Sequence, residues 1–258
     1  MIEYKITGGN DGSRIYIANE REKDGIILFD VCMELESEAV PAQFSLAFDI
    51  VDVDIYSVWS PSIRYQRYMG PNWSKRTTES RLASYMPLHS LVSMGGKNRM
   101  TVTISDAKTP ISIGTGVCEE DANVKWDIKF FTVPVAPLEK YTATVRIDTR
   151  DIAYYDAIYD AVSWWEVDCG YKPTYVPEHA KLPMNSLWYS YHQNLDVEDI
   201  IKECELSKKI GMETVIVDDG WQTNDNKRGY RFCGDWEVAK SKIPDMKDFV
   251  DRDRKSVV

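Results

Sequence analysis

Residues 214–222 read TVIVDDGWQ: four apolar or β-branched residues lead without a break into two adjacent carboxylates, a glycine and a tryptophan. An uninterrupted apolar run suits a parallel strand buried on both faces. In parallel sheets, binding and catalytic groups collect at the carboxyl ends of the strands, which is where Asp218 and Asp219 fall. Successive strand residues point to opposite sides, so both aspartates reach one ligand only if the strand has just ended. Gly220 gives the chain freedom to bend there. Adjacent carboxylates repel unless something binds them. Together they accept several hydrogen bonds and donate none, which matches neighbouring hydroxyls on a sugar. Trp221 and Trp188 offer apolar faces for a ring. Asp-Asp-Gly is also ordinary turn chemistry, but the apolar strand before it and the aromatic segment at 185–193 favour a site. Two aspartates also suit Mg²⁺ or Ca²⁺. No third ligand stands nearby, and His89, His179 and His192 are far apart in sequence, so no metal and no cofactor is expected.

Working outward, NSLWYSYHQ (185–193) reads as a short aromatic strand, and LDVEDIIKECELSKKIGM (195–212) as a helix. Asp196 suits its N-cap, Val197, Ile200, Ile201 and Cys204 share a face, Lys208 and Lys209 suit the last turn, and Gly211 suits C′. The order strand–helix–strand is the unit of an α/β barrel or doubly wound sheet. No glycine-rich phosphate loop follows the first strand, which counts against nucleotide binding.

Residues 1–150 follow a different grammar. GIILFDVCMELE, QFSLAFDIVDVDIYSVW, VKWDIKFFTVPV and YTATVRIDTR are β-branched and aromatic, with turn residues between them, as in a β-sandwich. TATVRID alternates Ala143, Val145 and Ile147 against Thr142, Thr144, Arg146 and Asp148, which predicts one wet face. Residues 151–183 predict a connecting helix over DIAYYDAIYDAVSWWEVDCG and then a proline-bearing linker. Residues 184–258 begin the α/β region.

The chain has 258 residues, 43% hydrophobic and 28% charged, a globular composition that excludes a disordered chain. A net charge of −10 disfavours nucleic acid as a partner. Neither a signal sequence nor a membrane-length apolar run is evident, so no membrane partner is expected. Five scattered cysteines without CxxC spacing suggest a reducing compartment, and the expected location is cytoplasmic.

LWYSYH, GMETVIVDDGWQ and GDWEVAKSKIPDMKDFVD together resemble the start of the catalytic domain of glycoside hydrolase family 36, the retaining α-galactosidases, to which plant raffinose and stachyose synthases are related. The match covers about residues 184–251. The resemblance implies a multidomain β plus α/β chain: an N-terminal β-supersandwich, then the first strands of a truncated (β/α)8 TIM barrel. It implies that Asp218 and Asp219 bind the galactose 4- and 6-hydroxyls and that Trp188 lines the same pocket, with Trp221 a weaker substrate-binding candidate. The expected partner is a small carbohydrate, an α-galactoside. Relatives often form oligomers, so a homo-oligomer is among the implied states. A sandwich loop reaches the active site in some relatives; the segment carrying Trp59 and Trp73 is a candidate, although sandwich core is the expected place of both indoles. A retaining glycosidase needs two carboxyl groups beside the scissile bond. The family draws them from the fourth and sixth barrel strands, beyond the two strands legible here, so no catalytic residue is expected in this chain and it is expected to be inactive alone. RDRKSVV (252–258) loses the apolar spacing of a helix, as an interrupted or frameshifted chain would, and a remnant of two strands is expected to be disordered or to associate. The rival expectations are a galactoside-binding sandwich without catalysis and a galactosyltransferase of the raffinose-synthase type.

Overall fold

In the computed structural model, residues 2–62, 69–82, 84–227 and 236–257 are described, with side chains to residue 254. The chain divides into two compact units, Met1–Lys172 and Pro173–Val258. In the first, the strands are β1 (Lys5–Gly8), β2 (Arg14–Lys23), β3 (Ile26–Ala39), β4 (Phe44–Val51), β5 (Ser57–Trp59) and β6 (Arg76–Ser80). They continue with β7 (Leu88–Val92), β8 (Asn98–Ile104), β9 (Ile111–Cys118), β10 (Asn123–Phe130) and β11 (Leu138–Asp148), and helix α1 (Tyr154–Val167) follows.

These strands form two antiparallel sheets, in the orders β1-β4-β10-β9-β6 and β2-β3-β11-β8-β7-β5. Alternation selects the inner faces. On β10, Val124, Trp126, Ile128 and Phe130 are buried while the intervening residues are not. They meet Phe44, Leu46 and Phe48 of β4, and Phe29, Val31 and Met33 of β3 in the other sheet. Phe44 stacks on Phe130 at 4.7 Å and Phe48 on Trp126 at 5.6 Å. Two apolar faces closed on one another make an antiparallel β-sandwich.

The outer face of β11 departs from the wet-face expectation. Arg146 is 4% exposed and Asp148 0%. Burial follows from α1, which packs on the same sheet, with Ala161 and Trp165 against Leu88 and the Trp165 indole N–H donating to the Ile104 carbonyl at 2.8 Å. Two charges survive there because they are paired: Arg146 Nη2 donates to Asp148 at 3.1 Å, and Arg150 donates to Asp148 and to Asp160 of α1. Trp59 is half-buried beside the α1 cluster, whereas Trp73 is 82% exposed in a short 3₁₀ turn, outside the core expected for it. The segment between them, residues 63–68, lies outside the described residues.

The second unit contains β12 (Met184–Ser186), α2 (Trp188–Tyr191), α3 (Val197–Lys209), β13 (Thr214–Ile216) and α4 (Met246–Val257). β12 and β13 pair in parallel with α3 between them in sequence. The Asp196 carboxylate accepts the Asp199 N–H at 3.1 Å and caps α3. At the other end the Met212 N–H donates to the Ser207 carbonyl and the Gly211 N–H to that of Lys208, with Gly211 at φ 85°, a Schellman stop. Leu187, Leu195, Ile200, Ile201, Cys204, Ile243 and Phe249 form the unit's core.

Three local expectations change. The aromatic segment is a strand only through Ser186 and then turns helical at Trp188. Among the described residues β13 is not covered equally on both faces: Val215 and Val217 pack on the core while Ile216 is 40% exposed. The helix at the chain end runs on through 252–257. Asp245 caps it by accepting from the Lys247 and Asp248 N–H groups. Its later turns need no apolar stripe, since Arg252 makes a bidentate bond to Glu198 of α3 at 2.7 and 2.8 Å.

Candidate functional site

The register of the parallel pair aligns the candidate residues. Met184, Asn185 and Ser186 stand opposite Thr214, Val215 and Ile216, and the Leu187 N–H extends the ladder to the Ile216 carbonyl at 3.1 Å. Two positions past the last pair on each strand are Trp188 and Asp218. Trp188 opens α2, half-buried, with the His192 ring edge-on at 5.1 Å. His192 closes that turn at φ 50° and ψ −122°, a conformation costly for a side-chain-bearing residue and concentrated at functional sites. On the second strand, Val215 and Val217 point to the core, so alternation sends Ile216 and the exposed Asp218 to the opposite side.

The carboxylates are held by the turn they belong to. The Asp219 N–H donates to Asp218 Oδ1 at 2.8 Å, and Gln222 Nε2 donates to Asp219 Oδ1 at 3.2 Å. Gln222 Oε1 in turn accepts the Gly220 N–H at 2.9 Å, so one buried amide clamps the turn from both sides. Gly220 sits at φ 111° with its backbone against Gln193; a Cβ there would lie 2.5 Å from Gln193 Cα. Glycine is therefore required by both conformation and space. The mutual repulsion of the aspartates is offset by these donors.

Trp221 goes elsewhere. Its indole packs against the unit's core and, with Val215, Val217, Met246, Phe249, Val250 and Asp253, lines a mostly apolar cavity of about 310 Å³. Its ring lies 5.9 Å from that of Trp236, which is exposed at φ 54°. Trp188, Asp218 and Asp219 thus gather at the ends of one strand pair, while Trp221 faces the core beneath them. The neighbouring cavity, about 450 Å³, is lined by Gln222, Thr223, Asn224, Asp225, Glu237, Val238 and Ala239 and by none of the four. Gly234 and Asp235 of the GDW motif lie outside the described residues. Sequence reasoning passed over Gln222, Gln193 and Lys242. Gln222 was findable, standing directly after DDGW; Gln193 and Lys242 act through backbone contacts that leave no motif.

Among the described residues, no group of three or more His, Cys, Asp or Glu side chains is placed to hold a metal ion, and no helix is long and apolar enough to cross a membrane.

No protein-family profile and no curated protein matches the chain. Solved structures do. A family 36 α-galactosidase, AgaA, from Geobacillus stearothermophilus, a variant in complex with 1-deoxygalactonojirimycin, matches with TM-score 0.50 and 12% identity, over 100% of this chain and 43% of that one. A further AgaA variant, in complex with stachyose, gives 0.49 and 12% over the same shares. The α-galactosidase of Lactobacillus brevis gives 0.47 and 12% over 99% of this chain and 41% of that one. The chain spans less than half the length of these proteins, and at such identities the likeness is one of fold. The fold of the described residues is similar to that of the matching part of a glycoside hydrolase family 36 α-galactosidase.

Proposed function

We propose that this chain carries the galactose-recognising end of an α-galactosidase-type site, with the second unit as the first strands of its barrel. Asp218 and Asp219 accept hydrogen bonds from neighbouring sugar hydroxyls, and Trp188 contributes an apolar ring face. Trp221 serves as the packed base of the turn. The observation that carries the reading is the parallel register, which brings Trp188 and Asp218 to equal positions past adjacent strands. Each carboxylate has about four acceptor positions, so the hydrogen bonds within the turn leave capacity for ligand hydroxyls. Asp218 is exposed and Asp219 half-buried, a gradation suited to a sugar entering from solvent.

Binding rather than turnover is the activity proposed for these residues. Retaining hydrolysis takes a nucleophile and an acid/base carboxyl about 5–5.5 Å apart across the scissile bond. The adjacent aspartates are engaged by their own turn, and the family resemblance draws the catalytic pair from later strands. Calorimetric titration of the chain with 1-deoxygalactonojirimycin tests the reading. Saturable binding lost in the Asp218→Asn, Asp219→Asn double variant supports it, and no binding by the unaltered chain rejects it. A 4-nitrophenyl α-galactoside should not be hydrolysed by the chain alone.

A second reading, carbohydrate binding by the sandwich itself, is favoured by one observation. A groove of about 640 Å³ runs between α1 and the outer sheet face, lined by Arg21, Thr144, Arg146, Asp160, Ser163 and Trp164 among others. It offers hydrogen-bonding groups beside an indole, the combination that sugars favour. Titrating residues 1–172 separately with galactosides discriminates the two readings.

A further inference from the structure

Lys242 is half-buried in the second unit, and among the described residues its ammonium forms no ion pair with a carboxylate. It donates instead to three backbone carbonyls: Gln193 at 2.5 Å, Gly220 at 3.0 Å and Asp225 at 3.5 Å. An ammonium has three donors on a single point, and here all of them are directed at main chain. Burial lowers its pKa, partly countered by the charge of Asp225.

The three carbonyls belong to segments that matter together. Gln193 ends the turn begun by Trp188, and Gly220 lies within the turn at 219–222 that follows Asp218. Gly220 also lies in backbone contact with Gln193. Lys242 thus bonds both sides of the contact that sets the spacing between the aromatic and acidic turns. It is held in place in turn, because the Ala239 N–H donates to the Trp221 carbonyl and the Ser241 hydroxyl to Asn224. Among the described residues, Asn226 Nδ2 also links the two segments by donating to Asn194 Oδ1 at 3.2 Å, but it is Lys242 that bonds the carbonyls of both Gln193 and Gly220.

We infer that Lys242 is a positioning residue of the proposed sugar site: its ammonium fixes the two strand-end turns relative to one another and never touches the sugar. The inference rests on the galactose-binding reading for its consequence, but its geometry is tested independently. Amide hydrogen exchange should show segments 190–195 and 217–226 opening together in Lys242→Met, about tenfold faster or more, while α3 changes less than about twofold. Lys242→Arg, whose flat guanidinium spreads its donors, should give an intermediate acceleration. Lys242→Ala should regain slow exchange in both segments when methylammonium is added.

Titration with 1-deoxygalactonojirimycin adds the functional arm. Lys242→Met should bind about tenfold more weakly or worse, with an unfolding midpoint close to the parent's. The inference is overturned if the two segments stay as protected as before. It is equally overturned if α3 opens in step with them, since the lysine then merely stabilises the whole unit. Should Lys242→Met fail to fold, the arginine variant carries the same comparison. Absence of ligand binding by the unaltered chain rejects the galactose reading and leaves the exchange result to decide the role of Lys242.

Discussion

His89 makes the sandwich sensitive to mild acid. It lies on β7, fully buried, with Nε2 at 2.8 Å from the Thr78 hydroxyl and Nδ1 at 3.1 Å from that of Thr115. Thr78 and Thr115 belong to the opposite sheet, so the imidazole is a polar rivet between the layers. Burial pushes its pKa from 6.5 down to about 3. The folded value lies below the unfolded one, so the neutral ring's contribution is complete above pH 6.5 and is lost progressively down to about pH 3. Within that window the slope is about 1.4 kcal/mol per pH unit, so about 2 kcal/mol is lost between pH 6.5 and 5. Urea unfolding at pH 7, 6 and 5 measures this, and Trp126, whose ring lies 6.3 Å from that of His89, reports the sandwich transition by fluorescence. His89→Gln keeps a donor and an acceptor without the titration. It should be less stable than the parent at pH 7 yet lose less on acidification, by about 2 kcal/mol at pH 5. Parallel pH dependences for the two proteins would refute the reasoning.

Three further outcomes are expected. Gly220→Ala meets both a forbidden φ and the Gln193 backbone, so it should cost the second unit about 2–4 kcal/mol in chemical unfolding and abolish iminosugar binding. Asp148→Ala leaves two guanidiniums beneath α1 without their shared carboxylate and should cost about 3–5 kcal/mol, whereas Arg146→Met leaves Asp148 paired with Arg150 and should cost less than about half as much in the same assay. Asp196→Ala removes the α3 cap and should cost about 1 kcal/mol, read as faster amide exchange in the first turn of that helix.

Elements whose local chemistry closes on itself were legible in the sequence. Alternation on β10, the Asp196 cap and the Gly211 stop each depend on residues a few positions apart, and the structure uses them as their chemistry dictates. Features set by distant neighbours were not legible. The Thr144–Arg146 side of β11 reads as solvent-facing, and only α1 turns it into a buried charge cluster. The apolar run of β13 reads as doubly covered, while Ile216 is 40% exposed. At the site, Asp218, Asp219 and Gly220 announce themselves by composition. Trp221 belongs to the same motif but packs on the unit's core from within the turn at 219–222. Lys242 escapes sequence reading because its partners are carbonyls, which every residue possesses.

The way α1 is fastened has a practical corollary. Asp160 neutralises Arg150, and the Trp165 indole is tethered to the Ile104 carbonyl, so the helix serves as lagging on that side of the molecule. A version trimmed to its last strand would bare a cluster of ionised groups together with the apolar patch around Leu88. An autonomous domain for biophysical work should therefore retain the chain as far as Lys172.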